Sequence, residues 1–119
     1  MEALTETQRA SLRHALQTLE RELANAHERS ADAAAPVDLE EPIGRVSRID
    51  AIAQQRMVEA SRASMQLRLQ QVRAALRRCD EGEYGACITC GEEVGFPRLH
   101  ARPEAPCCIA CQSERERRR

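Results

Sequence analysis

The sequence predicts a mainly α protein: a long antiparallel coiled-coil helical hairpin that carries a small four-cysteine zinc-finger module and a short C-terminal helix. Three observations predict it. Cys87-x2-Cys90 is answered by Cys108-x2-Cys111, with seventeen residues between the pairs, and four thiolates so arranged can close a tetrahedron around Zn²⁺. Leucines recur at alternating four- and three-residue spacings from Leu12 onward, the signature of a helix with one apolar seam. Among 119 residues there are one Phe, one Tyr and no Trp, so the apolar residues suit thin helices packed along a seam better than a globule.

Helix one starts at Thr5. Thr5-Glu6-Thr7-Gln8 fits a capping box, in which the threonine hydroxyl accepts from an early amide and the glutamine reaches back. Leu12, Leu16, Leu19, Leu23 and Ala26 form the seam, while Arg9, Arg13, Glu20, Arg21, Glu22 and Arg29 fall on other faces and read as solvated surface. Pro36 stops the pattern, because the residue before a proline avoids the α region. Residues 36–44 form a connector containing Asp38, Glu40, Glu41 and Pro42.

Helix two is expected from about Arg45 to Arg78. Its outer half offers Val46, Ile49, Ile52, Ala53 and Met57, and its inner half Met65, Leu69, Val72 and Leu76. The small residues Ala60, Ser61, Ala63 and Ser64 between them would let a partner helix approach closely. Two amphipathic helices joined by a short loop pack antiparallel, each covering a stripe that neither can leave in water. The expected division is residues 1–80 for the hairpin, with its tip at about 36–50, and 81–119 for the zinc finger and final helix. Asp80 to Gly85 closes helix two, with Gly82 at the position after the helix where a left-handed residue belongs.

In the zinc module, Gly91 follows the first cysteine pair, where a knuckle turn needs φ > 0 so that amides can point at the sulfurs. Gly95, Pro97 and Pro103 punctuate a loop with little regular structure of its own. A single Cys-x-x-Cys could be a redox motif; two pairs at this separation read as a metal site. The N-terminus is acidic and polar, without an apolar signal-like run, and no stretch approaches a membrane span. The expected compartment is the reducing cytoplasm, where paired cysteines are metal ligands more often than disulfides. Cys87, Cys90, Cys108 and Cys111 are therefore the predicted ligands. Cys107 breaks the spacing, and Cys79, at the end of helix two, reads as a small hydrophobe. His14 and His27 read as surface residues, and His100 is not needed by a site that already has four thiolates.

Net charge is −1, so the chain as a whole is no polyanion binder, but its charge is unevenly placed. All 18 basic residues are arginine, and eight of them lie between Arg45 and Arg78 against only Asp50 and Glu59.

Gly82-Glu83-Tyr84-Gly85-x-Cys87-x2-Cys90-Gly91-Glu92, Arg98-Leu99-x-Ala101-Arg102-Pro103 and Cys108-Ile109-x-Cys111, preceded by a helical hairpin, resemble the DksA/TraR family of bacterial transcription factors. The resemblance implies a four-cysteine zinc module at the base of a coiled coil, and a protein that binds RNA polymerase directly rather than DNA. It implies that the coiled coil enters the secondary channel, the pore that leads nucleotides to the catalytic centre, where acidic tip residues weaken open complexes. Some members act with the alarmone ppGpp. The tip motif of the family, Asp-x-x-Asp-x-Ala, is not reproduced: Ser47-Arg48-Ile49-Asp50-Ala51-Ile52 keeps its second acid, and Asp38-Leu39-Glu40-Glu41 keeps two acids without the alanine. Asp50 and Ala51, with Asp38 and Glu41, are the tip candidates. Arg98 and Arg102 are candidates for contact with polymerase or nucleotide; Arg102 matches a basic position of the family, while nearby positions carry Gln71 and Gln112.

The alternative is a zinc finger that binds nucleic acid through Arg98, Arg102 and the arginines of the C-terminus, or a coiled-coil adaptor. Near-neutral charge and the lack of stacking aromatics oppose the former. Four cysteine ligands leave no open zinc position, and no nucleophile–base pair is apparent, so no enzyme is expected. The chain is expected to act as a monomer, with no membrane partner.

Overall fold

The computed structural model describes residues 2–33 and 45–118, which form four helices: α1 (Glu6–Ala33), α2 (Arg45–Glu81), α3 (Phe96–Ala101) and α4 (Ile109–Arg117). The first two are the predicted hairpin. The connector at 36–44, and with it Asp38 and Glu41, lies outside the described residues.

The predicted capping box opens α1. The Thr5 amide donates to Gln8 Oε1 at 2.9 Å, and the Gln8 amide donates to Thr5 Oγ1 at 3.1 Å, so two amides without helical partners are satisfied reciprocally. At the far end of α2 the Gly82 amide donates to the Cys79 carbonyl and the Glu83 amide to that of Arg78. This paired closure needs a left-handed residue, and Gly82 has φ 78°.

The hairpin core follows the predicted inner seam. Leu12, Leu16 and Leu23 are buried against Leu69, Val72 and Ala75, with Leu19, Met65 and Leu76 packed on them. The outer half departs from the expectation. Ile49 and Met57 are 58% and 71% exposed, and Ala53, Ala60, Ser61, Ala63 and Ser64 do not join the buried core. Continuing back from Met65 in steps of three and four, α2 carries Arg62, Val58, Gln55 and Ala51, all half-buried, as is Ile52 of the expected set. Met57 lies one position off this stripe, because an unbroken helix keeps its phase even where that phase selects arginine and glutamine. Arg62 Nε donates to Ser30 Oγ at 2.9 Å, and that hydroxyl in turn donates to the His27 carbonyl at 2.8 Å. The outer packing thus includes a polar bridge beside the half-buried Val58.

The core runs on from the hairpin into the zinc module through Leu4, Tyr84, Val94, Leu99, Ala105 and Cys107. Tyr84 is buried, and its hydroxyl donates to the Pro103 carbonyl at 2.8 Å, as a buried phenol requires. Leu4 fills the space above Gly85, where a Cβ would meet Leu4 Cδ1 at 3.1 Å and φ is 105°; both facts exclude a side chain there. Two arginines read as solvated surface instead join α1 to the end of α2 and to the chain just beyond it. Arg9 Nη1 donates to the Tyr84 carbonyl at 2.9 Å, and Arg13 pairs with Asp80 at 2.6 Å.

Candidate metal centre

The first cysteine pair sits on a turn closed by an isolated antiparallel bridge between Ala86 and Glu93. The Cys87 amide donates to the Glu92 carbonyl at 2.7 Å, and the Gly91 amide to that of Cys87 at 3.0 Å. Gly91 has φ 79°, as the knuckle requires, and the Thr89 amide lies 3.4 Å from Cys87 Sγ. The second pair sits at the start of α4, with Cys108 as its N-cap residue. A hydrogen bond from the Ile88 amide to the Pro106 carbonyl, 3.0 Å, ties the two halves together. One element was not foreseen in the loop between the pairs: α3, opened by Gly95 and Pro97, which buries Leu99.

The sulfurs of Cys87, Cys90, Cys108 and Cys111 all lie within 4.8 Å of one another. Cys90 Sγ and Cys108 Sγ are 3.8 Å apart. Tetrahedral zinc with bonds of about 2.3 Å separates its sulfurs by about 3.8 Å. The four predicted ligands therefore fit zinc in number, chemistry and spacing, and they are the only such group among the described residues. The metal supplies folding energy here, and a closed four-thiolate set leaves no position for substrate.

The thiols do not ionise alike. Burial pushes the Cys87 thiol up, but the amides of Cys90, Cys108 and Thr89 overcome it and bring it down to about 5. Cys111 is pushed up by the neighbouring thiols of Cys108 and Cys90 and by burial. Cys90 is also raised: the Glu92 amide pulls it down, and desolvation and Cys87 outweigh that pull. One thiolate forms readily and makes the next costlier, a repulsion that a divalent cation removes.

Cys107 is fully buried outside this set. Its Sγ lies 3.4 Å from Arg115 Nη1 and 3.6 Å from Thr89 Oγ1, and its carbonyl accepts from Arg98 Nε at 2.9 Å. Arg98 thus braces the loop that delivers Cys108. Cys79 packs on the hairpin core, and burial raises its thiol. His100 stacks on Phe96 at 5.3 Å and is no part of the cluster.

Sequence reasoning missed Glu104. It is fully buried, and its Oε2 accepts from Arg68 Nε at 2.8 Å, with Arg102 Nε at 3.6 Å. An acid between Pro103 and Ala105 gives no signal of burial. Of the tip candidates, Asp50 is exposed on α2 and Ala51 is half-buried.

A profile of the prokaryotic dksA/traR C4-type zinc finger matches residues 82–117, so the module that bears the cysteines is a C4 zinc finger of this class. Over 45 residues the chain is 42% identical to the RNA polymerase-binding transcription factor DksA of Haemophilus influenzae, covering 38% of this chain and 31% of that one. It is 48% identical over 44 residues to the protein of the same name from Caulobacter vibrioides, covering 37% and 31%. The matched segment thus spans about a third of these curated relatives. The fold extends further: the structure of transcription factor DksA2 from Pseudomonas aeruginosa superposes with a TM-score of 0.75 at 28% identity, covering 95% of this chain and 86% of that one. The zinc-finger module thus matches this family, and the fold of the whole chain is similar to that of a DksA-type structure.

Proposed function

We propose that this protein is a non-enzymatic transcription regulator that binds bacterial RNA polymerase directly, as a cytoplasmic monomer, and inserts its hairpin into the secondary channel to modulate initiation. The observation that carries the reading is the whole-chain likeness to a DksA-type structure, joined to a zinc module shared with relatives named for polymerase binding. The physical form agrees with it. The molecule extends 61 Å along its longest axis, and a thin rod enters a pore that a globule cannot. In this division of labour residues 81–119 fix the base and residues 1–80 provide the reach. Asp50 presents an exposed carboxylate on the outer part of α2, where confinement would strengthen its field. No described helix is long and apolar enough to cross a membrane.

The test is binding of the zinc-loaded protein to core RNA polymerase, with a secondary-channel cleavage factor as competitor. Displacement by the competitor is the expected result. Binding without displacement would move the site away from the channel, and no binding at micromolar concentrations would overturn the reading.

A further inference from the structure

Two contacts from the start of the hairpin converge on one short segment of the zinc module. Leu4, just ahead of the α1 cap, is buried over Gly85 and belongs to the same buried cluster as Cys87 and Val94. Arg9, in the first turn of α1, donates to the Tyr84 carbonyl across 75 residues of sequence. Cys87, a zinc ligand, stands two residues beyond Gly85. The rest of this segment is bonded to the knuckle: the Gly85 carbonyl accepts from the Val94 amide at 2.8 Å, Ala86 bridges to Glu93, and the Cys87 amide donates to the Glu92 carbonyl. The second cysteine pair is tied to the same segment, since the Tyr84 hydroxyl donates to the Pro103 carbonyl and the Ile88 amide to that of Pro106.

Gly85 is where this grip matters. Its φ of 105° is open to glycine alone, and glycine has the most backbone freedom to lose. A chain that orders Gly85 only when metal arrives subtracts that ordering from the metal's affinity; a chain that orders it beforehand does not. Leu4 closes the space above Gly85, and Arg9 fixes the carbonyl immediately before it. Both residues lie outside the segment that the zinc-finger profile matches, residues 82–117, and neither is a ligand. Groups that hold ligands without touching the metal nonetheless govern how tightly it is bound.

We propose that Leu4 and Arg9 are positioning residues for the metal: together they clamp residues 84–87 in the form that presents Cys87, and so raise the zinc affinity of a site to which they give no ligand. The coupling is reciprocal, so zinc in turn holds Leu4 on the module. The inference concerns the four-cysteine site and does not depend on the polymerase reading.

The experiment is competition for zinc between the full chain and a chromophoric chelator, with L4A and R9A set against L23A. Leu23 is a buried leucine of the hairpin core, so L23A reports what general destabilisation does to the metal. L4A should weaken zinc binding by roughly ten-fold or more, R9A by a smaller factor in the same direction, and L4M should restore most of the affinity. L23A should stay within roughly two-fold of the unmutated chain. Unchanged affinity in L4A, or an equal loss in L23A, would overturn the proposal. A second measurement uses the unmutated chain: methyl NMR of the leucines before and after zinc is stripped. The Leu4 methyl signals should move to unfolded positions while those of Leu16 and Leu23 keep theirs. Leu4 signals that ignore zinc removal, or a collapse of all three leucines together, would overturn it as well, so instability of a variant does not shelter the proposal.

Discussion

The carboxylate of Glu104, wholly buried in the zinc module, accepts Arg68 Nε at 2.8 Å across 36 residues of sequence. Arg68 belongs to α2 and Glu104 to the loop before the second cysteine pair, so this contact couples the hairpin to the metal-bearing base. Its two ends are unlike. Arg68 is 42% exposed and can turn to water, whereas Glu104 cannot.

That asymmetry orders two variants. Arg68→Ala strands a buried carboxylate with only the more distant Arg102, and should cost about 2–3 kcal/mol. Glu104→Gln keeps an acceptor and removes the buried charge, and should cost about 1 kcal/mol. Denaturant unfolding at fixed zinc would show the order, and the reverse order would mean that the pair contributes chiefly through the charge on Glu104.

Adjacent cysteines should behave differently. Cys108→Ser should abolish stoichiometric zinc binding and collapse the module, because metal binding here is folding energy, on the order of 10 kcal/mol. Cys107→Ser should retain one zinc per chain, since its sulfur faces Arg115 and Thr89. Metal analysis of the two purified variants decides between the neighbours.

The pH dependence has a definite sign. Cys87 has its thiol lowered from 9.0 to about 5, so its contribution is fully present above pH 9 and is lost as pH falls through 5. Protons also compete with the metal for every sulfur. Zinc should therefore be kept at neutral pH and released on acidification toward 5, as followed with a chromophoric chelator. The raised thiols of Cys90 and Cys111 carry the opposite sign: their contribution is present below pH 9 and lost as pH rises through their elevated values. Metal-free protein should accordingly lose stability in alkali where the zinc form does not.

Asp50→Asn tests the effector end under the proposed function. Its carboxylate is exposed, so melting and zinc content should be unchanged while the effect on initiation is lost in a transcription assay. Wild-type behaviour would exclude Asp50 as the effector.

The sequence made legible those parts whose chemistry is local. Thr5 and Gln8 lie within one turn, and each cysteine pair within four residues, so their spacing reports their geometry. The inner seam was legible because Leu12, Leu16, Leu69 and Val72 obey one period. The contacts that stayed hidden depend on distant partners: Arg9 finds the Tyr84 carbonyl, Leu4 finds Gly85, and Arg68 finds Glu104. The outer seam was misread for another reason. Ile49 and Met57 are apolar and exposed whereas Ile52 and Val58 are half-buried, because helical phase, not apolarity alone, chooses which side chains are covered.

The sparser outer seam sets where the hairpin yields. From Met65 inward, separating the helices exposes buried leucine and valine to water; at Arg62 it exposes a polar bridge that water replaces almost as well as Ser30 does, and Val58 beyond it is only half-buried. Opening should therefore run as a fray that starts at the outer end and halts at Met65. Amide hydrogens at 51–62 should exchange well ahead of those at 65–76. A rod built this way is stiff at its root and forgiving at its far end, able to bend into a curved passage without loosening the metal that anchors it.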